Sequence, residues 1–195
     1  MILAFLRAEI DSPRHAEVLE SWLNECGASR GMIEEGDPSD PTENAARRCI
    51  LRNFRGYRNV QPLLFPNFPQ FVRWKLVALS ADDIGRLKYA AWPAWEELSR
   101  GTRLLADGAA NLDTIEIDNV NVHVRGIIAD IDTGVKKVAD YEPIIIVATE
   151  MGAQHVVVEG HSRLTAFCSR LDSVDEVIAF AGYSANMNNW DLMKL

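Results

Sequence analysis

The chain has 195 residues, 48% hydrophobic and 25% charged, which suits an ordinary soluble globule with a packed core. Asp and Glu number 28 against 20 Lys and Arg, and the net charge of -8 disfavours broad electrostatic binding to nucleic acid or an anionic membrane. No apolar run is long enough to span a bilayer, and the apolar stretch Met1 to Leu6 is too short for a signal h-region.

Ile2 to Ile10 is apolar with interruptions and reads as a strand. Ser12-Pro13 then opens a helix, with Ser12 as cap and Pro13 in the first turn. Val18, Leu19, Trp22 and Leu23 form its apolar stripe, and Gly27 stops it. Ala28 to Asp40 is a polar surface loop. Pro41 starts a second helix that runs to about Phe54, with Gly56 beyond. On it Arg48, Arg52 and Arg55 share a face, with Arg47 and Arg58 close by. They read either as a basic stripe for phosphate or, in preference, as a solvated face balanced by Glu34, Glu35 and Glu43.

Gln61 to Gln70 carries Pro62, Pro66 and Pro69 among Leu63, Leu64, Phe65 and Phe68. The prolines exclude a regular helix, and the apolar side chains demand burial, so a packed irregular loop is expected, with Phe71, Trp22 and Trp74 buried as well. Val72 to Leu79 alternates as a strand. Ser80 and Asp83 form a capping box for a helix over Ala81 to Ala91, and Pro93 opens another ending near Gly101. Ile115, Ile117, Val120, Val122 and Val124 alternate with polar residues and read as strand with a bulge or turn at Asp118-Asn119. Ile127, Ile128, Ile131 and Val135 suggest a short helix. Val174 to Ala181 is a further strand, and the tail is anchored by Trp190 and Leu192.

The three cysteines, Cys26, Cys49 and Cys168, are odd in number and widely spaced, with no Cys-x-x-Cys. Neither a disulfide scaffold nor a zinc site is expected, and a cytoplasmic protein with reduced thiols is. His15, His123, His155 and His161 show no metal-ligand spacing, so no metal site is predicted.

The most informative stretch is Gln154 to Phe167, where the period changes. Val156 to Val158 is a β-branched run, whereas Leu164, Phe167, Cys168 and Leu171 follow helical spacing, and Gly160 sits at the join. The first N–H groups of a helix lack intrahelical partners and carry the positive end of its dipole. Gly160 allows close approach, and His161, Ser162 and Arg163 can add donors, so the join is a candidate phosphate site. Ser162 as a plain N-cap and Arg163 on a solvated face are the structural alternatives.

Glu159-Gly160-His161-Ser162-Arg163-Leu164-Thr165-Ala166 resembles the Gly-x-x-Arg-x-x-Ala box of the ParB/sulfiredoxin superfamily. Glu142-Pro143-Ile144-Ile145-Ile146-Val147 resembles its Pro-Ile-Ile-Val strand, and Glu150-Met151-Gly152 its joining turn. The likeness covers about Ile127 to Ala181. It implies an α/β (α+β) fold with a small mixed sheet and helices as the core over 113–195. No clean linker precedes that core, so residues 1–112, unlike anything in the short members, are expected as a large helix-rich N-terminal extension packed on it. The likeness also implies a box that grips nucleotide phosphate, with Gly160, His161, Ser162 and Arg163 as binding residues, ATP or CTP as the nucleotide, and magnesium as its companion. Members include CTP-binding partition proteins, sulfinic acid reductases, a free-serine kinase and proteins labelled nucleases.

The departures narrow the reading. His161 stands where sulfiredoxins place their catalytic cysteine, which argues against sulfinic acid reduction. Ser162 replaces the first of two arginines usual in partition proteins, and the chain ends soon after the core, which argues against DNA as a partner. His161 reads as general base, phosphate donor or backbone-bonded histidine. Glu159 reads as a proton acceptor, a group orienting a metal-bound nucleotide, or the ion-pair partner of Arg163. Three functions remain: a nucleotide-dependent phosphotransferase or hydrolase, a non-catalytic nucleotide or phosphometabolite sensor, and an interaction protein with a structural box.

Overall fold

The computed structural model describes residues 1–12, 15–56, 64–65 and 67–193. Pro13, Arg58, Pro62, Leu63 and Pro66, which carry sequence expectations, lie outside the described residues. The chain divides into two compact units, Met1–Gln70 with Asn189–Asp191, and Phe71–Asn188 with Leu192–Leu195. The division falls at Gln70, not between 112 and 113. The strand that begins at Arg73 pairs with one a hundred residues later, a connection that leaves no local mark in the sequence.

The first unit is helical: α1 (Ile2–Ile10), α2 (Ala16–Glu25), α3 (Arg30–Glu34) and α4 (Pro41–Arg55). The strand expected over Ile2 to Ile10 is helix α1 instead. Leu3, Phe5, Leu6 and Ile10 are all buried, so the short run has no exposed face to mark its period, and Ala, Leu, Arg and Glu favour helix. In α4 the Asp40 carboxylate accepts from the N–H groups of Thr42 and Glu43, and Gly56 closes the helix at φ 72°. Leu64 and Phe65 are buried, and rings of Phe5, Phe65, Phe68 and Trp190 form a contiguous series. The indole of Trp190 donates to the Leu64 carbonyl at 2.8 Å. Trp22 is only half-buried, and Phe71, expected inside, is 82% exposed.

Cys26 and Cys49 are joined by a disulfide with Cα atoms 5.7 Å apart. This corrects the expectation of three reduced thiols. The pair exists because α2 packs on α4, which the spacing of 23 residues does not announce. The basic stripe also dissolves. Arg47 is fully buried and Arg55 pairs with Glu9 at 2.8 Å, leaving Arg48 and Arg52 exposed.

The second unit is mixed α+β. In chain order it holds β1 (Arg73–Leu79), α5 (Ala81–Arg86), α6 (Pro93–Leu98), α7 (Leu105–Ala110), α8 (Val120–Asp132), β2 (Ile144–Ala148), β3 (Val156–Glu159), α9 (His161–Cys168) and β4 (Val177–Tyr183). The sheet order is β1-β4-β2-β3. β2 and β3 form an antiparallel hairpin, β4 runs parallel to β2, and β1 closes one edge antiparallel to β4. All five residues of β2 are buried, as a strand covered on both faces should be. Ile144, Ile146, Val157, Ala179 and Ala181 share a core with Val120, Val124 and Ile127 of α8 and Leu164 and Phe167 of α9.

The capping box of α5 is present: the Ser80 hydroxyl accepts from Asp83 N–H at 3.2 Å, and Asp83 accepts from Ser80 N–H at 3.0 Å. The helix stops at Arg86, short of the expected Ala91, and Lys88 makes isolated bridges to Leu104 and Val156. Of residues 115–124, expected as strand, 115–117 are irregular, Asp118 and Asn119 form a turn, and 120–124 open helix α8. Val120, Val124, Ile127 and Ile128 are buried at helical spacing, and Val122 is 71% exposed. Buried Asn121 overrides the alternation by donating to the carbonyls of Leu112 and Ile115, both at 2.8 Å, and accepting from Ile117 N–H at 3.0 Å. Among the described residues, no helix is long and apolar enough to cross a membrane.

Candidate functional site

The period change at Gly160 marks the strand-to-helix junction. β3 ends at Glu159, Gly160 is the N-cap at φ 100°, and α9 begins at His161. A non-glycine residue is strained at that φ. The space beside its Cα is already filled, because a Cβ there would lie 2.4 Å from Ile144 Cδ1. Gly160 therefore serves close packing of the helix start on β2. Ser162 is buried in the first turn of the helix and is not its cap.

A bulge between Ile145 and Ile146 sets Glu159 opposite Ile145. Such a bulge re-aims the side chain at a strand end. Here the result is an ion pair along the chain: Arg163 Nη2 donates to Glu159 Oε1 at 2.6 Å. Arg163 Nη1 donates to the Glu142 carbonyl, which tethers the start of α9 to the residue two places before β2. Both side chains are largely buried, at 11% exposed for Arg163 and 17% for Glu159. Burial pushes the Glu159 carboxyl up, but the charge of Arg163 and hydrogen bonds from Gly160 N–H and Arg163 outweigh it. The net effect holds Glu159 below its ordinary value, as a carboxylate. The anion at this helix N-terminus is the protein's own.

His161 is held from another direction. Its Nε2 accepts from the Ala90 N–H at 3.3 Å, which requires the neutral tautomer with its proton on Nδ1. Its ring stacks on Trp95, 5.3 Å between centroids, and Tyr89 stacks on Trp95 at 4.9 Å. Fully buried Tyr89 shares a 2.8 Å hydrogen bond with Thr165 of α9, and burial raises its phenol far above the ordinary range. Cys168, half-buried at the end of α9, is pushed up to about 11 by burial and is no thiolate at neutral pH.

Five of the predicted residues, Glu159, Gly160, His161, Ser162 and Arg163, thus stand together at one strand end. The sequence did not point to Tyr89, Ala90, Trp95 or Glu142. The first three reach the junction across about 70 residues, from a segment read partly as helix, and Glu142 contributes only a carbonyl. Among the described residues no group of three or more His, Cys, Asp or Glu gathers to hold a metal ion. Glu159 is committed to Arg163, so the junction offers magnesium no free carboxylate.

Comparison with models of known protein families, with curated proteins and with solved structures finds no match to this chain.

Proposed function

We propose that the chain is a non-catalytic binding protein of ParB/sulfiredoxin type that takes a phosphate-bearing small molecule, a nucleotide such as ATP or CTP foremost, at the start of α9. The observation that carries this reading is the Arg163–Glu159 pair at a helix N-terminus that has no side-chain cap. That arrangement already accommodates an anion, and a phosphate offers Arg163 more acceptor oxygens than the carboxylate it replaces. The ligand competes with Glu159 for the guanidinium. The hairpin of β2 and β3 leading through Gly160 into α9 supports the family assignment.

Sensing is favoured over phosphotransfer or hydrolysis by the state of the two candidate bases. Glu159 is a weak base while Arg163 holds it, and His161 Nε2 is engaged by a backbone donor. A second reading, in which the box is purely a clasp, is favoured by the Arg163 bond to the Glu142 carbonyl.

Calorimetric titration with ATP, CTP and inorganic phosphate separates the two. Under the binding reading Glu159→Gln binds nucleotide more tightly than wild type, and folded Arg163→Ala loses roughly 1.5–3 kcal/mol, the worth of hydrogen bonds to a charged group. Under the clasp reading wild type and Glu159→Gln both fail to bind. Release of phosphate from ATP or CTP would restore the enzyme reading.

A further inference from the structure

A cavity in the second unit has chemistry that the box does not use. Its volume is about 100 Å³, and its wall includes Val138, Tyr141, Glu142, Phe167, Glu176 and Val177. One water needs about 10–15 Å³ on such a measure, so the space suits a small organic guest. Drug-sized ligands occupy sites of about 300–1,000 Å³, so the guest must be short.

Tyr141, Glu142 and Glu176 are the polar residues that line this mostly apolar wall. The Tyr141 hydroxyl is shut off from solvent and has no hydrogen-bond partner among the described residues. A buried hydroxyl left this way costs stability that a guest can restore. Burial raises the phenol, so it stays protonated at neutral pH and can both donate and accept. Glu142 and Glu176 bring two carboxylates, and neither forms an ion pair among the described residues. The apolar side is built by Phe167, which meets the Tyr141 ring at 5.6 Å, with Val138 and Val177. The Lys136 ammonium already rests 5.3 Å from the centroid of the Tyr141 ring, so a cation is compatible with this aromatic surface.

We propose that this cavity binds a small organic ammonium, with its short alkyl body against Phe167, Val138 and Val177 and its charged end between Glu142 and Glu176. The ammonium N–H donates to the Tyr141 hydroxyl. Two unpaired carboxylates select a cation over an anion, and the apolar wall selects an organic cation over a bare metal ion. The site does not rest on the phosphate reading, although Arg163 holds the carbonyl of Glu142 and so touches both.

The test is calorimetric titration of the full chain with n-butylammonium chloride, and with 1-butanol and butyrate as neutral and anionic probes of similar size. Butylammonium is expected to bind about tenfold more tightly than butanol, with butyrate not binding. Glu176→Gln, at an exposed position that conserves size, is expected to weaken butylammonium about tenfold and leave butanol unchanged. Tyr141→Phe is expected to weaken butylammonium and to melt no lower than wild type, since it removes the unpaired hydroxyl. The proposal is overturned if butylammonium does not bind, if butanol binds as tightly, or if folded Glu176→Gln binds butylammonium as wild type does.

Discussion

Two buried arginines, one in each unit, show how the same local pattern serves two ends. Arg47 pairs with Glu43 and Arg163 pairs with Glu159, each four residues apart. Arg47 donates from Nε and Nη2 to the Met32 carbonyl, from Nη1 to the Asp37 carbonyl and Asn44, and from Nη2 to Glu43. Its five-donor fork is spent on fixing the loop between α3 and α4. Arg163 has two acceptors, the Glu142 carbonyl and Glu159. It keeps donors in reserve and stands at a helix start. A saturated arginine is a structural brace, whereas an unsaturated one at a dipole end can still take an anion.

Arg47→Ala is the most damaging way to test the contrast. It strands Glu43 and the carbonyls of Met32 and Asp37 and should cost about 3–5 kcal/mol, the range for breaking a buried pair. Urea unfolding followed by tryptophan fluorescence reads the loss; a change below about 1 kcal/mol would mean that Arg47 is not the brace described. Next comes the covalent brace of the same unit. Cys26→Ser/Cys49→Ser, or reduction of wild type, should cost about 3 kcal/mol on the chain-entropy account of a loop of this size. An equal melting temperature with and without reductant would remove the disulfide from the description.

Arg163→Ala should cost less stability than Arg47→Ala, roughly 1.5–3 kcal/mol, because fewer acceptors are stranded. Arg163→Lys should recover part of it, since a point charge cannot reproduce the fork. Equal losses for Arg47→Ala and Arg163→Ala would erase the contrast.

The smallest effects are those of pH. Glu159 ionises more readily folded than unfolded, so its stabilisation is complete above its ordinary value of 4.5 and is lost as pH falls through its lower folded value. His155, half-buried beside Tyr183, is pushed below its ordinary 6.5 chiefly by burial. The unfolded chain therefore takes up a proton first, and stability begins to fall as pH drops through 6.5. Unfolding measured from pH 7 downward should show both limbs. Glu159→Gln should shrink the acid limb and leave the His155 limb unchanged; the remainder belongs to Asp37, Asp83 and Asp132, which hydrogen bonds also hold below their ordinary 3.8.

Several elements were legible because their signals are local. Pro41 with Gly56 bounds α4, Ser80 with Asp83 caps α5, and the change from the Val156–Val158 run to helical spacing after Gly160 marks the passage from β3 to α9. The misreadings have one cause. In α1 and at the start of α8 the short-range alternation or apolarity suited either structure, and the choice lay with partners elsewhere, such as the carbonyls that Asn121 collects.

At the candidate site the sequence alone determined which residues stand together, since Glu159 to Arg163 are neighbours along the chain and a strand-to-helix turn cannot part them. Tertiary structure alone decided what those residues do at rest. The bulge in β3 turned Glu159 toward Arg163, the path before β2 brought the Glu142 carbonyl within reach, and the Tyr89–Trp95 stack captured His161. Each of these depends on a hydrogen bond or ring contact between segments about 20 to 70 residues apart. Such contacts have no period and no spacing in the sequence, because they are selected by packing of the whole unit and not by the local chain.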